Sequence, residues 1–280
     1  MKARIVVIVL SVIVLVLGAF FLGQRTQMAA GRKAPAAKKA AKPRIMKKAV
    51  VPEIAAIRPS RPAMVAIVID DFGYNTNNLK AFFDIREPLT FSILPNLRRS
   101  RDVAMAAKQR GCEVILHMPM ASHRKDVKEE PDTLTPGDSI ATVEARLAKA
   151  IESVPGAVGV SNHMGSSATE NKALMSEVLV YLKKKSLYFF DSLTSEKSVC
   201  REAAESAGIR FARRDVFLDN YNDVDAIGAE LADLGKLAMK RGRAIAICHD
   251  RKNTAIALAK AMPQMAGDGI KFVYLSDMEK

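Results

Sequence analysis

The sequence predicts an α/β protein, a distorted (β/α) barrel preceded by an N-terminal transmembrane helix and a disordered basic linker. Three observations predict it. From Met64 onward, short apolar runs alternate with stretches of helical period, the pattern of a parallel sheet. Eight such runs and seven helices occupy about 215 residues, a spacing that suits a small barrel better than a doubly wound sheet. Before them stand an uncharged apolar stretch, Ile5 to Gly23, and a segment rich in Ala, Lys, Arg and Pro.

The apolar stretch has 19 residues, which at about 1.5 Å each just span a hydrocarbon core. No clean small-x-small cleavage site follows, so residues 1–24 are expected to form an uncleaved inner-membrane anchor, with a signal sequence as the alternative. Lys2 and Arg4 precede the span, and Arg25, Arg32, Lys33, Lys38, Lys39 and Lys42 follow it, a balance that the positive-inside tendency does not favour for export. A lone N-terminal span nonetheless usually acts as an export signal, and the body is expected in the periplasm. Residues 25–62 lack apolar periodicity and read as a spacer. The formal charge of +13 divides unevenly: residues 1–62 carry +12 and residues 63–280 carry +1. A nearly neutral body argues against a nucleic-acid partner. Cys112, Cys200 and Cys248 show no CxxC spacing, which argues against a disulfide framework and a cysteine zinc site.

Residues 63–280 form the predicted catalytic domain. Strands are expected at 64–70, 89–94, 112–117, 157–161, 187–190, 209–212, 243–248 and 270–275. Helices are expected at 75–85, 99–110, 138–153, 170–185, 196–207, 224–241 and 252–265. Leu231, Leu234, Leu237 and Ala238 carry the helical period, and Gly111, Gly208 and Gly242 stand where helices should stop.

The polar residues fall at one end of this map. The run Met64–Ile69 leads straight into Asp70, Asp71, Phe72 and Gly73. His117 ends the third strand, Asn162 and His163 follow the fourth, Asp191 ends the fifth, Asp215 follows the sixth, and His249 ends the seventh. Taken singly, each has a plain reading: a hydrogen-bonded histidine, a helix cap, an aspartate paired with Arg213 or Arg214. Jointly they occupy strand carboxyl ends, which a barrel gathers at one mouth. One Asp and two His make a three-ligand metal site with positions open for water, the pattern of metal-assisted hydrolysis. Adjacent strand residues face opposite ways, so Asp70 and Asp71 share a site only if the chain bends, and Phe72-Gly73 permits that bend.

Five stretches resemble the divergent polysaccharide deacetylases: Ile69-Asp70-Asp71-Phe72-Gly73, Leu116-His117-Met118-Pro119-Met120, Gly159-Val160-Ser161-Asn162-His163-Met164-Gly165-Ser166, Phe190-Asp191-Ser192, and Arg214-Asp215-Val216-Phe217-Leu218-Asp219. The Asn-His-Met-Gly-Ser stretch is the most specific. The resemblance implies a barrel of the polysaccharide deacetylase type and metal-dependent removal of acetyl groups from amino sugars. By likeness to the wider deacetylase group, Asp70 is the general base, Asp71 and His117 are metal ligands, and His249 is the general acid. The wider group places a second histidine four residues after the first, but Ala121 stands there and His123 lies in a polar loop. His163 is therefore taken as the third ligand. Relatives often have proline after the last histidine, where this chain has Asp250, and Cys248 stands where a small Gly is expected.

The reading is an envelope-anchored metallohydrolase with one divalent ion, zinc by its ligands, acting on an acetylated glycan or amino sugar. Asn162, Asp191 and Asp215 would bind substrate or orient histidines. Trp is absent and Tyr numbers 5, which leaves poor platforms for stacking a long glycan. Two alternatives stay open: another metal-dependent amidase or esterase on the same fold, and a non-catalytic envelope-binding protein. A periplasm-dependent reporter fused after Lys280 is expected to be active, and a cytoplasm-dependent one silent. The reverse pattern would place the body inside.

Overall fold

In the computed structural model, which describes residues 62–278, the opening strand β1 (Ala63–Phe72) is buried on both faces. Its odd-numbered residues Val65, Ile67 and Ile69 pack in the larger apolar cluster with the helices. Ala66 and Val68 turn the other way, into a second cluster with Ile115, Tyr188, Phe190, Ile245 and Ile247. Burial on both sides explains an apolar run without polar alternation. The next residue on the inner face is Asp70.

The elements follow as α1 (Leu79–Phe83), β2 (Thr90–Ile93), α2 (Ser100–Gln109), β3 (Glu113–Met120), α3 (Ile140–Ser153), β4 (Gly159–Met164), α4 (Lys172–Lys184) and β5 (Tyr188–Asp191). Then come α5 (Cys200–Ala207), β6 (Phe211–Arg213), β7 (Val216–Phe217), α6 (Val224–Arg241), β8 (Arg243–His249), α7 (Lys252–Gly267) and β9 (Ile270–Phe272). The strands pair in parallel in the order β6-β5-β4-β3-β2-β1-β8-β7, and β9 pairs with the first residues of β1. Helices start on side-chain caps where the sequence supplies them: Ser139 accepts from Thr142 N, Asn171 from Leu174 N, and Asp223 from Asp225 N and Ala226 N. Gly208 and Gly242 end α5 and α6 in the left-handed conformation that glycine adopts freely.

The expected barrel is corrected to a curled parallel sheet that does not close. β6 and β7 are consecutive in the chain and stand at opposite edges of the sheet. Between them Asp215 takes over part of the ladder, its N–H donating to Ile245 O at 2.8 Å and its carboxylate accepting from Ile245 N at 2.9 Å. The two-residue β7 was not expected from sequence, being too short to show a period. The first helix is shorter than expected because Asn75 accepts from Asn77 N and holds a turn there. The anchor at 5–23 lies outside the described residues. So does the linker, apart from Pro62. Among the described residues no helix is long and apolar enough to cross a membrane.

Gly159 opens β4 against the ring of Tyr188, where a Cβ would stand only 2.5 Å from the ring carbons. Gly159→Ala is expected to lower stability by about 1–3 kcal/mol through overpacking, read as a lower denaturation midpoint. An unchanged midpoint would show that Tyr188 can move aside.

Candidate active site

The inner-face columns of four strands end in polar groups. Ala66 and Val68 lead to Asp70, Ile115 leads to His117, Ser161 leads to His163, and Ile245 and Ile247 lead to His249. Strand register brings them level: Asp70 pairs with His249, and His117 with Ser161. They surround a cavity of about 510 Å³ whose other walls include Met164, Leu193, Arg214, Phe217 and Ile247.

Alternation should turn Asp71 away from this cavity. It enters because its own backbone is left-handed, with φ 69°, and the pairing of β1 with β2 slips between Ile69 and Phe72. The bend therefore lies at Asp71, one residue earlier than expected. Aspartate tolerates this conformation better than most residues. Met164 at φ 56° and Leu193 at φ 51° also line the cavity, and neither side chain favours that region. Such residues cost about 1–3 kcal/mol each and cluster where geometry matters more than stability.

Asp71 Oδ1 lies 3.1 Å from His163 Nδ1 and 3.4 Å from His117 Nε2, and the two nitrogens are 3.2 Å apart. A tetrahedral ion with ligands at about 2.0–2.1 Å sets its donors roughly 3.3–3.4 Å apart, so this triangle has the dimensions of one face of such a site. Asp71 Oδ1 is buried without a hydrogen-bond partner despite the two imidazoles beside it. Burial raises the Asp71 carboxyl, but those imidazoles outweigh it and hold it well below the usual carboxylate range. Two imidazole nitrogens and an orphaned carboxylate oxygen fit a divalent cation, and among the described residues this is the cluster that meets the spacing for one. His117 is oriented from behind: its Nδ1 is 2.7 Å from Ser161 Oγ, which is 2.9 Å from Ser92 Oγ. That contact directs Nε2 into the cluster.

Asp70 and His249 flank the cluster. Asp70 Oδ1 is buried without a hydrogen-bond partner. Burial pushes its carboxyl up, against the pull of His117 and His249. His249 Nε2 lies 3.9 Å from Asp71 Oδ2, while its Nδ1 is 2.8 Å from Asp219 Oδ1. Asp219 is buried and also accepts from His249 N and Thr254 Oγ1. Burial lowers the His249 ring, and the hydrogen bond to Asp219 overcomes it, so the net shift is upward.

The model of the divergent polysaccharide deacetylases matches residues 67–278. The chain belongs to this family. The uncharacterized protein YibQ of Escherichia coli (strain K12) is 34% identical over 210 residues, 75% of this chain and just under two thirds (66%) of that protein. An uncharacterized protein of Haemophilus influenzae is 36% identical over 204 residues, 73% of this chain and 72% of that one. Among solved structures, an uncharacterized protein from Agrobacterium tumefaciens C58 superposes with a TM-score of 0.75 at 25% identity, covering 79% of this chain and 90% of that one. A CE4 family pseudoenzyme from Bacillus anthracis shares the fold at a TM-score of 0.50 and 13% identity, covering 78% of this chain and 66% of that one.

In this family member, Asp70, Asp71, His117, Asn162, His163 and His249 meet at one cavity, and Asp191 and Asp215 do not line it. Asn162 braces the cavity wall, accepting from Ser192 N at 2.9 Å and donating to Met164 O at 2.8 Å. Asp191 is buried and turned into its own loop, accepting from Leu193 N and Ser198 Oγ. Asp215 belongs to the sheet seam, and Asp219 fills the orienting role expected of it, because β7 carries the chain across the seam before the functional aspartate is reached. Asp250 bonds to Asn78 and not to the His249 ring. His123 is exposed and pairs with Glu170. Sequence reasoning also missed Arg214, held in the cavity wall by Ser192 O and Leu193 O and lying 5.4 Å from the Phe217 ring centre. The signals for Asp219 and Arg214 were their places at the two ends of the Arg214–Asp219 stretch.

Asparagine also tolerates a left-handed backbone, so Asp71→Asn should preserve the bend while removing the anionic donor. Bound divalent metal is expected to fall well below one equivalent by elemental analysis, with the melting temperature little changed. Metal retained at the wild-type level would show that the ligand set is different.

Proposed function

We propose that this protein is a metal-dependent hydrolase that removes N-acetyl groups from an envelope glycan or a related amino sugar. The observation that carries the reading is the triangle of Asp71, His117 and His163 with a free-standing carboxylate and an imidazole on its flanks. Asp71, His117 and His163 would hold the ion, for which two imidazoles and a carboxylate suit zinc. A divalent ion bound there lowers the pKa of water and polarises an acyl carbonyl.

The chain's own residues supply the proton transfers. Amide hydrolysis adds water across the C–N bond, so one proton must leave the attacking water and one must reach the departing nitrogen. Asp70 Oδ1 is the acceptor without a competing partner, and its raised pKa strengthens it as a base near neutrality. His249 Nε2 faces the cavity, and Asp219 both orients the ring and favours its protonated form. His249 donates to the nitrogen as the amine departs; Asp70 then releases its proton to solvent and His249 takes one back, so both recover their starting states. Met164, Leu193, Phe217 and Ile247 form an apolar wall suited to an acyl methyl group.

Acetate release from acetylated amino-sugar oligomers by metal-loaded protein tests the reading, with other acyl amides and esters as the comparison. Release from those compounds alone would favour a different amidase or esterase, and no release from any would favour a binding protein. His249→Ala is expected to keep its metal and fold while losing turnover by about 10²–10⁴-fold. Lost metal in that variant would make His249 a ligand instead.

The pH profile tests the Asp70–His249 assignment separately. Activity should fall at low pH as Asp70 is protonated and at high pH as His249 loses its proton. Removing the Asp219 charge lowers the His249 pKa, so Asp219→Asn should move the alkaline limb to lower pH and leave the acid limb in place. Movement of the acid limb alone would assign Asp219 to a different partner.

A further inference from the structure

We propose that the open seam of the sheet, outside the candidate active site, carries a binding site for a phosphate group. The sheet does not close between β6 and β8, and the seam leaves a cavity of about 340 Å³. Four guanidinium groups line it, from Arg201 on α5, Arg213 on β6, Arg241 on α6 and Arg243 on β8, together with Glu205 and Asp215. One carboxylate is already committed: Asp215 accepts from Ile245 N at 2.9 Å and lies 3.3 Å from Arg241 Nη1.

The other arginines have few protein partners, and Arg201 and Arg213 are exposed. Arg201 lies 5.3 Å from the Phe211 ring centre, and Arg243 reaches Met278 O at 3.3 Å. Among the described residues Arg213 makes no side-chain hydrogen bond or ion pair, and neither does Glu205. Four guanidinium groups against two carboxylates leave a local positive potential that attracts an anion. The lining carries two positive charges in excess, the charge of a phosphate dianion. Guanidinium forks match phosphate oxygens in pairs, which ammonium groups do not. Residues 63–280 carry +1 in all, so the excess at this cavity is not part of a generally basic domain.

The location separates this site from the hydrolytic one. Met64, near the start of the described chain, pairs in register with Arg243 and donates to Gly242 O at 3.0 Å. The cavity runs along the seam from Arg241 and Arg243, at the beginning of β8, to Arg213, the last residue of β6, and it shares no lining residue with the candidate active site. An occupant there leaves that site free. The phosphate could come from a free or monoester phosphate or from the headgroup of an anionic phospholipid, and both present the same oxygens.

The test is calorimetric titration of the full-length chain in non-ionic detergent with inorganic phosphate, at ionic strength held constant with chloride. Saturable single-site binding is expected. Arg213→Gln and Arg201→Gln, both exposed and outside the catalytic cavity, should each weaken it by about tenfold, the worth of one charge-assisted contact. Asp71→Asn should bind phosphate as the wild type does, which separates this site from any phosphate held at a metal. Competition by glycerophosphoglycerol but not glycerophosphocholine would identify a lipid headgroup as the source. Failure of both to compete would identify free or monoester phosphate. The proposal is overturned if no saturable binding occurs at millimolar phosphate, if both arginine variants bind like the wild type, or if Asp71→Asn abolishes binding.

Discussion

Asp70 and Asp71 are neighbours in the chain and both reach one cavity, which the two-residue alternation of a strand forbids. The left-handed backbone of Asp71 resolves the conflict, at a local cost that the buried strand around it can bear. Everything else in the site is placed relative to that bend. His117 and His163 meet Asp71 Oδ1 from β3 and β4, and His249 approaches its other oxygen from β8. The unfavoured conformations of Met164 and Leu193 repeat the device elsewhere in the cavity lining.

Adjacency also sets the electrostatics. Two carboxylates one residue apart are driven in opposite directions by what surrounds them. Burial dominates at Asp70 and raises its pKa, whereas the two imidazoles prevail over burial at Asp71 and lower it. A carboxylate that stays ionised suits cation binding, and one that accepts a proton more readily suits a base. The Asp219–His249 pair completes the contrast by favouring a charged ring on the neighbouring strand. This separation of roles among like groups is the physical content of the proposed chemistry.

The open seam gives the sheet two unlike cavities. At its carboxyl end the curl gathers histidines and aspartates around one, and along the gap between β6 and β8 arginines line the other. Asp215 joins the edges by standing in for a strand contact that β6 and β7 cannot make with each other.

The sequence by itself determined the alternating α/β order, most helix ends, and the six strand-end residues that meet at the cavity. Those signals are local: an apolar run buried on both faces ends abruptly in a charge, and Gly208 and Gly242 stop helices whatever packs on them. Tertiary structure decided the rest. Whether the sheet closes depends on pairing between segments distant in the chain, which no period records. The two-residue β7 is a strand only because β8 lies beside it, and its presence moves the orienting role from Asp215 to Asp219. Asp191 and Asn162 looked alike as polar groups after strands, but one folds into its own loop and the other braces the cavity, a difference set by which backbone N–H groups lie within reach. The seam cavity was invisible for the same reason, since its four arginines come from four elements that only the curl of the sheet brings together.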